Sequence, residues 1–467
     1  MDDLAILIVE SWANTIGNVN TTNEIKEWIS KRNEEIKVDI SRIALQDSDY
    51  WFYNENSGTI TNKNNSFFSI SGLRRFNKNE LVLEQPIIIQ SEIGYLGIIC
   101  KKIDGVLNFL MQAKIEPGNV NKIQISPTIQ ATKSNFMQKH GGRKPAYLDI
   151  FINASEYNII VDQIQSEQSS RFYKKRNRNI IIRIDDEIDE LPSHKWMTLG
   201  QIKELMRVDN IVNMDTRTVL SCIPYSLLMT NQTDLEKIEG LFTDKALFRS
   251  IFNNEVSMAK YLTEIYQFIN NYKMFDETRI ELCPLHTLDG WVFDRYEIRS
   301  INQYSFKIIF CEIDIEDREV THWTQPLFEA TGMATFGLFM SEINGVKKFL
   351  VKALSEVGCF DKIELGPSVQ TEAGIHNKCN DEVAKLFFKC MRDTKHIKYD
   401  TVLSEEGGRF YCEQNRNTII EIDYEIIDYL PEGYFWIDYY TLNHMVQVNN
   451  CMNIQLRNLL SMLRTAN

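Results

Sequence analysis

Three stretches of this chain are polar where a strand-rich core has no need of polarity. They are Gln112–Asn135 (QAKIEPGNVNKIQISPTIQATKSN), Gln165–Asn179 (QSEQSSRFYKKRNRN) and His322–Pro326 (HWTQP). Glu116, Glu167 and Glu405 are carboxylates inside otherwise apolar or amide-rich strings. Burial raises the pKa of such a carboxyl and fits it for work as an acid or base. Pairing with a nearby arginine is the structural alternative. Arg171, Lys174, Lys175, Arg176 and Arg178 make a basic run in an acidic chain. These groups suit a diphosphate, which arginine can grip bidentately; the alternative is a solvated loop tip. Trp323, two residues before Gln325, can stack on a nucleobase while the amide bonds the base edge, or it can pack in a core.

The common cofactor and nucleophile signatures GxGxxG, P-loop, GxSxG and HExxH are absent. Seven scattered histidines show no HxxxH spacing, which disfavours a zinc site. Nine cysteines without a CxxC pair read as reduced thiols of a cytoplasmic protein. A net charge of −13 argues against nonspecific binding to nucleic acid or a membrane surface, and leaves room for a local basic site. No window resembles a membrane span. The apolar Leu4–Val9 follows two aspartates and stops at Glu10, so it does not read as a signal peptide. With 467 residues, 43% hydrophobic and 25% charged, the chain is a globular protein of two or three domains.

The polar stretches must be positioned by something, and the chain says it twice. QSEQSSRF at 165–172 returns as LSEEGGRF at 403–410, 238 positions later. Trp51, Gln85-Pro86, Ile103, Gly105-Val106, Glu116, Gly118, Pro127 and Gln130 recur 240 positions on, with Asn344 for Asp104, as do Trp196, Asn213 and Arg217. This is a tandem duplication of a unit of about 230 residues, with its boundary in Thr230–Gly240. The expected units are 1–235 and 236–467. Each opens with helices (Asp2–Ile16 and Asn23–Ile36 in the first, Ala246–Tyr272 in the second). Strands follow, Ser66–Leu73, Pro86–Gln90, Leu96–Lys102 and Asn179–Ile184 among them. Asp104-Gly105 and Asn344-Gly345 are hairpin signals, and Thr198 with Gln201 is a capping box opening a helix. The fold class is α/β (α+β).

These same strings, with WMTLGQIKELMRVDNIVNMDTRTVLSC after them, resemble the NDP-hexose 2,3-dehydratases, and the likeness covers nearly the whole chain. The resemblance implies two Nudix-like repeats, each able to hold a nucleotide, in a homodimer. It implies action on a dTDP-linked 4-keto-6-deoxyhexose in deoxysugar biosynthesis, with the product passed to an NAD(P)H-dependent 3-ketoreductase. The Nudix box GX5EX7REUXEE is absent, which disfavours a hydrolase; a non-catalytic nucleotide-sugar-binding protein is the other alternative. No cofactor and no metal is expected.

The chemistry assigns Glu116 or Glu167 as base or acid, and Lys114, Gln130 or Asn135 as donors to an oxyanion. Asn119, Gln124, Thr132, Ser134, Tyr147, Gln165, Arg171, Phe172, Lys175, Asn177, Arg178 and Asn179 join them as expected substrate contacts. In the second repeat the expected nucleotide contacts are Trp323, Gln325, Glu356, Gln370, Glu405, Arg409, Tyr411, Asn415 and Arg416. The second repeat departs from the family strings at Glu356-Val357-Gly358 and Gln370-Thr371-Glu372-Ala373, and the first has Leu83 where a tryptophan usually precedes Gln-Pro. Catalysis is therefore expected in the first unit.

Overall fold

The structure is a computed structural model, described here for residues 4–137, 143–228, 232–252, 257–373, 381–427 and 429–466. It contains mixed α/β architecture with the same pattern twice. In the first half a seven-stranded sheet runs in the order Asn158–Ser166, Arg176–Arg183, Tyr95–Ile103, Val106–Ile115, His194–Met197, with short Ile123–Ser126 and Ile129–Ala131 alongside. The second half repeats it as Ile397–Ser404, Gln414–Glu421, Ala334–Ile343, Val346–Leu354, Tyr434–Asp438, with Glu364–Gly366 and Val369–Thr371. In each, one central pair is parallel and the rest are antiparallel.

The local signals explain the ladders. Ile103 pairs with Val106 and Ile343 with Val346, so Asp104-Gly105 and Asn344-Gly345 are two-residue hairpin turns. All four have positive φ (47°, 88°, 54° and 75°), as a type I′ turn demands and as Asp, Asn and Gly tolerate. Thr198 caps helix Leu199–Leu205 with the reciprocal Gln201 bond expected of a capping box. The expected strand Pro86–Gln90 is instead part of Glu80–Ile89, which pairs along Ser69–Asn77; the polar turn between them hides its extent. The second unit's expected helix Ala246–Tyr272 is described as Lys245–Phe252 and Ser257–Phe275, and residues 253–256 lie outside the described residues. The boundary placed at 235/236 falls inside helix Gln232–Glu239, and Thr230 lies outside the described residues.

A strand is exchanged between the halves. Val38–Arg42 from the first half adds to Phe306–Ile315 in a sheet of the second. Thr278–Cys283, its counterpart, adds to Ser69–Asn77 in a sheet of the first. The halves also share one apolar cluster, running from Leu7, Trp12 and Phe109 to Phe349, Leu456 and Leu463. At its centre helices Met214–Ser221 and Ile454–Ser461 pack together. Each carries a buried arginine that crosses to the other half: Arg217 Nη2 donates to Ser404 O at 2.6 Å, and Arg457 Nη2 donates to Ser166 O. A buried guanidinium must find acceptors for its donors, and these are carbonyls of the repeated octets.

Candidate functional site

The octets do more than accept those arginines. Gly118 N donates to Gly407 O at 2.7 Å and Cys412 N to Gly118 O at 2.9 Å. Gly358 N donates to Ser169 O at 2.7 Å and Lys174 N to Gly358 O at 2.8 Å. The loop after the strand ending at Ile115 is thus clasped by the octet of the other half, and the reverse holds too. The approach is so close that a Cβ on Gly118 would lie 1.6 Å from Phe410 O, and one on Gly358 1.8 Å from Phe172 O. This is why both glycines are retained.

One clasp borders a cavity of about 420 Å³, a volume in the usual range for small-molecule sites. The first half lines it with Lys114, Glu116, Gln130, Thr132, Asn135, Glu167, Phe172, Lys175, Asn177 and Asp215. The second half contributes Arg318, Trp323, Gln325, Glu406 and Arg409. Lys114 sits near the end of strand Val106–Ile115 with Glu116 just beyond it; Glu167 lies in the octet, just past strand Asn158–Ser166, and Lys175 just before strand Arg176–Arg183; Asp215 is in the first turn of helix Met214–Ser221.

Hydrogen bonds fix these groups. Gln130 Nε2 donates to Glu116 Oε1 at 3.2 Å, and Asn213 Nδ2 donates to Gln130 Oε1 at 3.1 Å. Both ends of the Gln130 amide are held within the protein, so it orients Glu116 in the cavity wall. Arg318 Nη1 stands 3.9 Å from Glu116 Oε1. Asn177 Nδ2 donates to Glu167 Oε1 at 2.7 Å, and Lys175 Nζ donates to Asn177 Oδ1 at 2.8 Å and to Glu92 O. Lys114 Nζ donates to Gln130 O at 3.2 Å.

The electrostatics favour proton transfer. Burial raises Glu167 against the pull of Lys175 and Arg457. Burial, then repulsion from Glu167, Glu406 and Glu116, raises Asp215 well above the carboxylate range. Desolvation and the charge of Glu116 push Glu406 up to about 8. Desolvation lowers Lys114 and brings Lys175 down to about 8. Carboxyls and amines driven toward neutrality from both sides are the equipment of general acid–base catalysis.

The second half places the same scaffold around different chemistry. Gln370 Nε2 donates to Glu356 Oε1 and Asn453 Nδ2 to Gln370 Oε1, both at 2.8 Å. Yet the counterparts of Lys114, Thr132, Lys175 and Asp215 are Leu354, Glu372, Glu413 and Gln455, and that of Glu406 is Gln168. Arg171, counterpart of Arg409, is buried here; its Nη2 is 2.7 Å from Glu372 Oε2. Arg171 was expected on a diphosphate and does not line the cavity; Arg409 does.

Other expected contacts serve the fold. Asn119 closes its own turn on Lys122 O, Gln124 donates to Ser404 Oγ, and Gln165 donates to Val446 O. Glu92 holds Ser134, and Tyr147 donates to Asp189 O. Arg178 and Arg416 form bidentate pairs with Asp162 and Asp400. Asn179 donates to Asn177 O and Asn415 to Glu405 Oε1, and Tyr411 pairs with Glu329. The Gln325 amide is spent on Gly408 O and Trp323 Nε1, which leaves the Trp323 ring as the group facing the cavity. Asp215, Glu406 and Arg318 were not foreseen as site residues.

A sequence profile described as NDP-hexose 2,3-dehydratase matches this chain at 22–223 and again at 262–463. A dTDP-4-dehydro-6-deoxy-alpha-D-glucopyranose 2,3-dehydratase of Saccharopolyspora spinosa is 36% identical over 461 residues, covering 98% of this chain and 94% of that one. Proteins of the same description from Amycolatopsis orientalis and Streptomyces violaceoruber are 33% and 34% identical. They cover 99% and 96% of this chain, and 94% and 98% of their own lengths.

Proposed function

Because this chain belongs to the NDP-hexose 2,3-dehydratase family, we propose that it is a sugar 2,3-dehydratase acting on dTDP-4-keto-6-deoxyglucose. The observation that carries the reading at the level of the site is the single cavity where Glu116, Glu167, Asp215 and Glu406 meet Lys114 and Lys175.

The reaction follows from carbonyl chemistry. The ketone at sugar carbon 4 acidifies the hydrogen on carbon 3; a base removes it and the charge moves to the oxygen on carbon 4. The hydroxyl on carbon 2 then leaves with a proton from an acid, as water. The resulting enol between carbons 2 and 3 tautomerises to a 3,4-diketo-2,6-dideoxy sugar. We assign Glu116 as the base, since Gln130 Nε2 holds its carboxyl in the cavity wall and Arg318 stands 3.9 Å from Oε1. Glu406 is the acid, since Glu116 and desolvation keep it protonated at neutral pH. Lys114 donates to the oxyanion. Trp323 offers a stacking face for the base, with the Arg318 guanidinium 5.8 Å from its ring centre. No redox cofactor or metal has a task in this sequence of steps.

The seven-stranded mixed sheet of each half supports a Nudix-like reading of the repeat. A homodimeric, cytoplasmic enzyme handing its reactive diketone to an NAD(P)H-dependent 3-ketoreductase completes the proposal. Incubation with dTDP-4-keto-6-deoxyglucose, a 3-ketoreductase and NADPH tests it. Loss of one water from the sugar is expected. Release of dTMP would indicate a hydrolase, and tight binding of unchanged substrate a carrier.

A further inference from the structure

Arg171 and Arg409 occupy equivalent places, and their stacking is equivalent. The Arg171 guanidinium is 4.5 Å from the Phe306 ring centre, and that of Arg409 is 4.3 Å from Phe68. They differ in how closely carboxylates approach. Two carboxylates, Glu372 and Glu413, act on Arg171, the first of them in direct contact. The positions of those carboxylates in the first half hold neutral Thr132 and cationic Lys175, and both face the cavity. Among the described residues Arg409 forms no ion pair. Its Nη1 donates to Gly408 O at 2.7 Å, and its Nε has no partner. The carboxylates Glu406, Glu116 and Glu92 act on it without direct contact.

We infer that Arg409, supplied by the second half, grips the diphosphate of the substrate bound in the first half. The Glu372 carboxylate on Arg171 is a built-in likeness of that anion. A guanidinium held flat on a ring, with donors to spare beside a lysine, offers the bidentate face that a phosphate takes. The inference rests on the nucleotide-sugar reading above. It gives the second half a part in binding although its own equivalent place is filled by an internal ion pair.

Titration calorimetry with dTDP and with thymidine separates the alternatives. Arg409→Gln should weaken dTDP at least tenfold and leave thymidine affinity as in the wild type. Thr132→Glu places in the first half the carboxylate that Glu372 supplies in the second. It should weaken dTDP to a similar extent, and adding Arg409→Gln to it should cost little more. If Arg409→Gln fails to fold, Thr132→Glu decides alone. Wild-type affinity for dTDP in either folded variant would overturn the inference, including the case where turnover alone falls because Arg409 serves the oxyanion on carbon 4. A wild-type protein that does not bind dTDP would overturn the substrate reading and this inference with it.

Discussion

Gln130 Nε2 stands 3.2 Å from Glu116 Oε1, and the far end of the same amide is held by Asn213. The arrangement recurs 240 residues later with Glu356. In the first copy this bond fixes the orientation of the Glu116 carboxyl in the cavity wall. In the second copy, burial first and then Glu372 push Glu356 up to about 7.

Glu116→Gln should therefore lower turnover by about 100- to 10,000-fold, the usual worth of a positioned base. Glu356→Gln should have a much milder effect. Single-turnover rates of the two variants, with matched thermal melts, make the comparison. The reverse order of effects would move the chemistry to the second half.

Turnover should fall as pH rises through about 8. Glu406 must carry a proton to release the 2-hydroxyl as water, and it loses that proton above this pH. A rate flat from pH 7 to 9.5, with the protein still folded, would remove Glu406 as the acid.

Stability should fall between about pH 5 and 7. Glu356 and Glu405 are pushed up to about 7, and Glu364 and Glu413 to about 8, in each case chiefly by burial, from an ordinary value of 4.5. The native state then binds more protons than the unfolded chain, so the stabilisation is complete below 4.5 and is lost as pH rises through 7 to 8. Lys175 and Lys203, brought down to about 8 and 7, act in the opposite sense only above those values. Melting temperatures measured across pH 5 to 7 should decline; a rise over that window would contradict the burial of these carboxyls.

Gly118→Ala should destabilise the protein by at least about 2 kcal/mol, the scale of overpacking against backbone that cannot move aside. The added methyl would meet Phe410 O at 1.6 Å. Urea titration reads the loss, and a wild-type midpoint would mean that the clasp opens freely.

Much of the scaffold was legible in the sequence. Asp104-Gly105 and Thr198-Gln201 carry local turn and cap chemistry, and the repeat offset pairs the elements of the two halves. Identity between the halves also singled out Glu116, Gln130, Asn213 and Gly118, all of which build or hold the cavity wall. It misled on Arg178 and Arg416, retained because each locks onto an aspartate across a strand pair. It was blind to Asp215 and Glu406, whose counterparts are Gln455 and Gln168. Retention marks the scaffold that both halves share, Glu116 and Gln130 included, whereas Lys114, Lys175, Asp215 and Glu406 are where the cavity differs from its counterpart. The strand exchange left no local signal, since Val38–Arg42 would read alike on either sheet.

That exchange has a consequence for the chain's history. Each half lends the other a sheet strand, so deleting either would leave a partner edge bare and prone to aggregation. Once the two copies had interlocked in this way, neither could be discarded. The two copies could then differ at the places of Lys114, Lys175 and Asp215, but the outline of each had to survive. Duplication here worked as a step without return, and what began as a spare became a fixture.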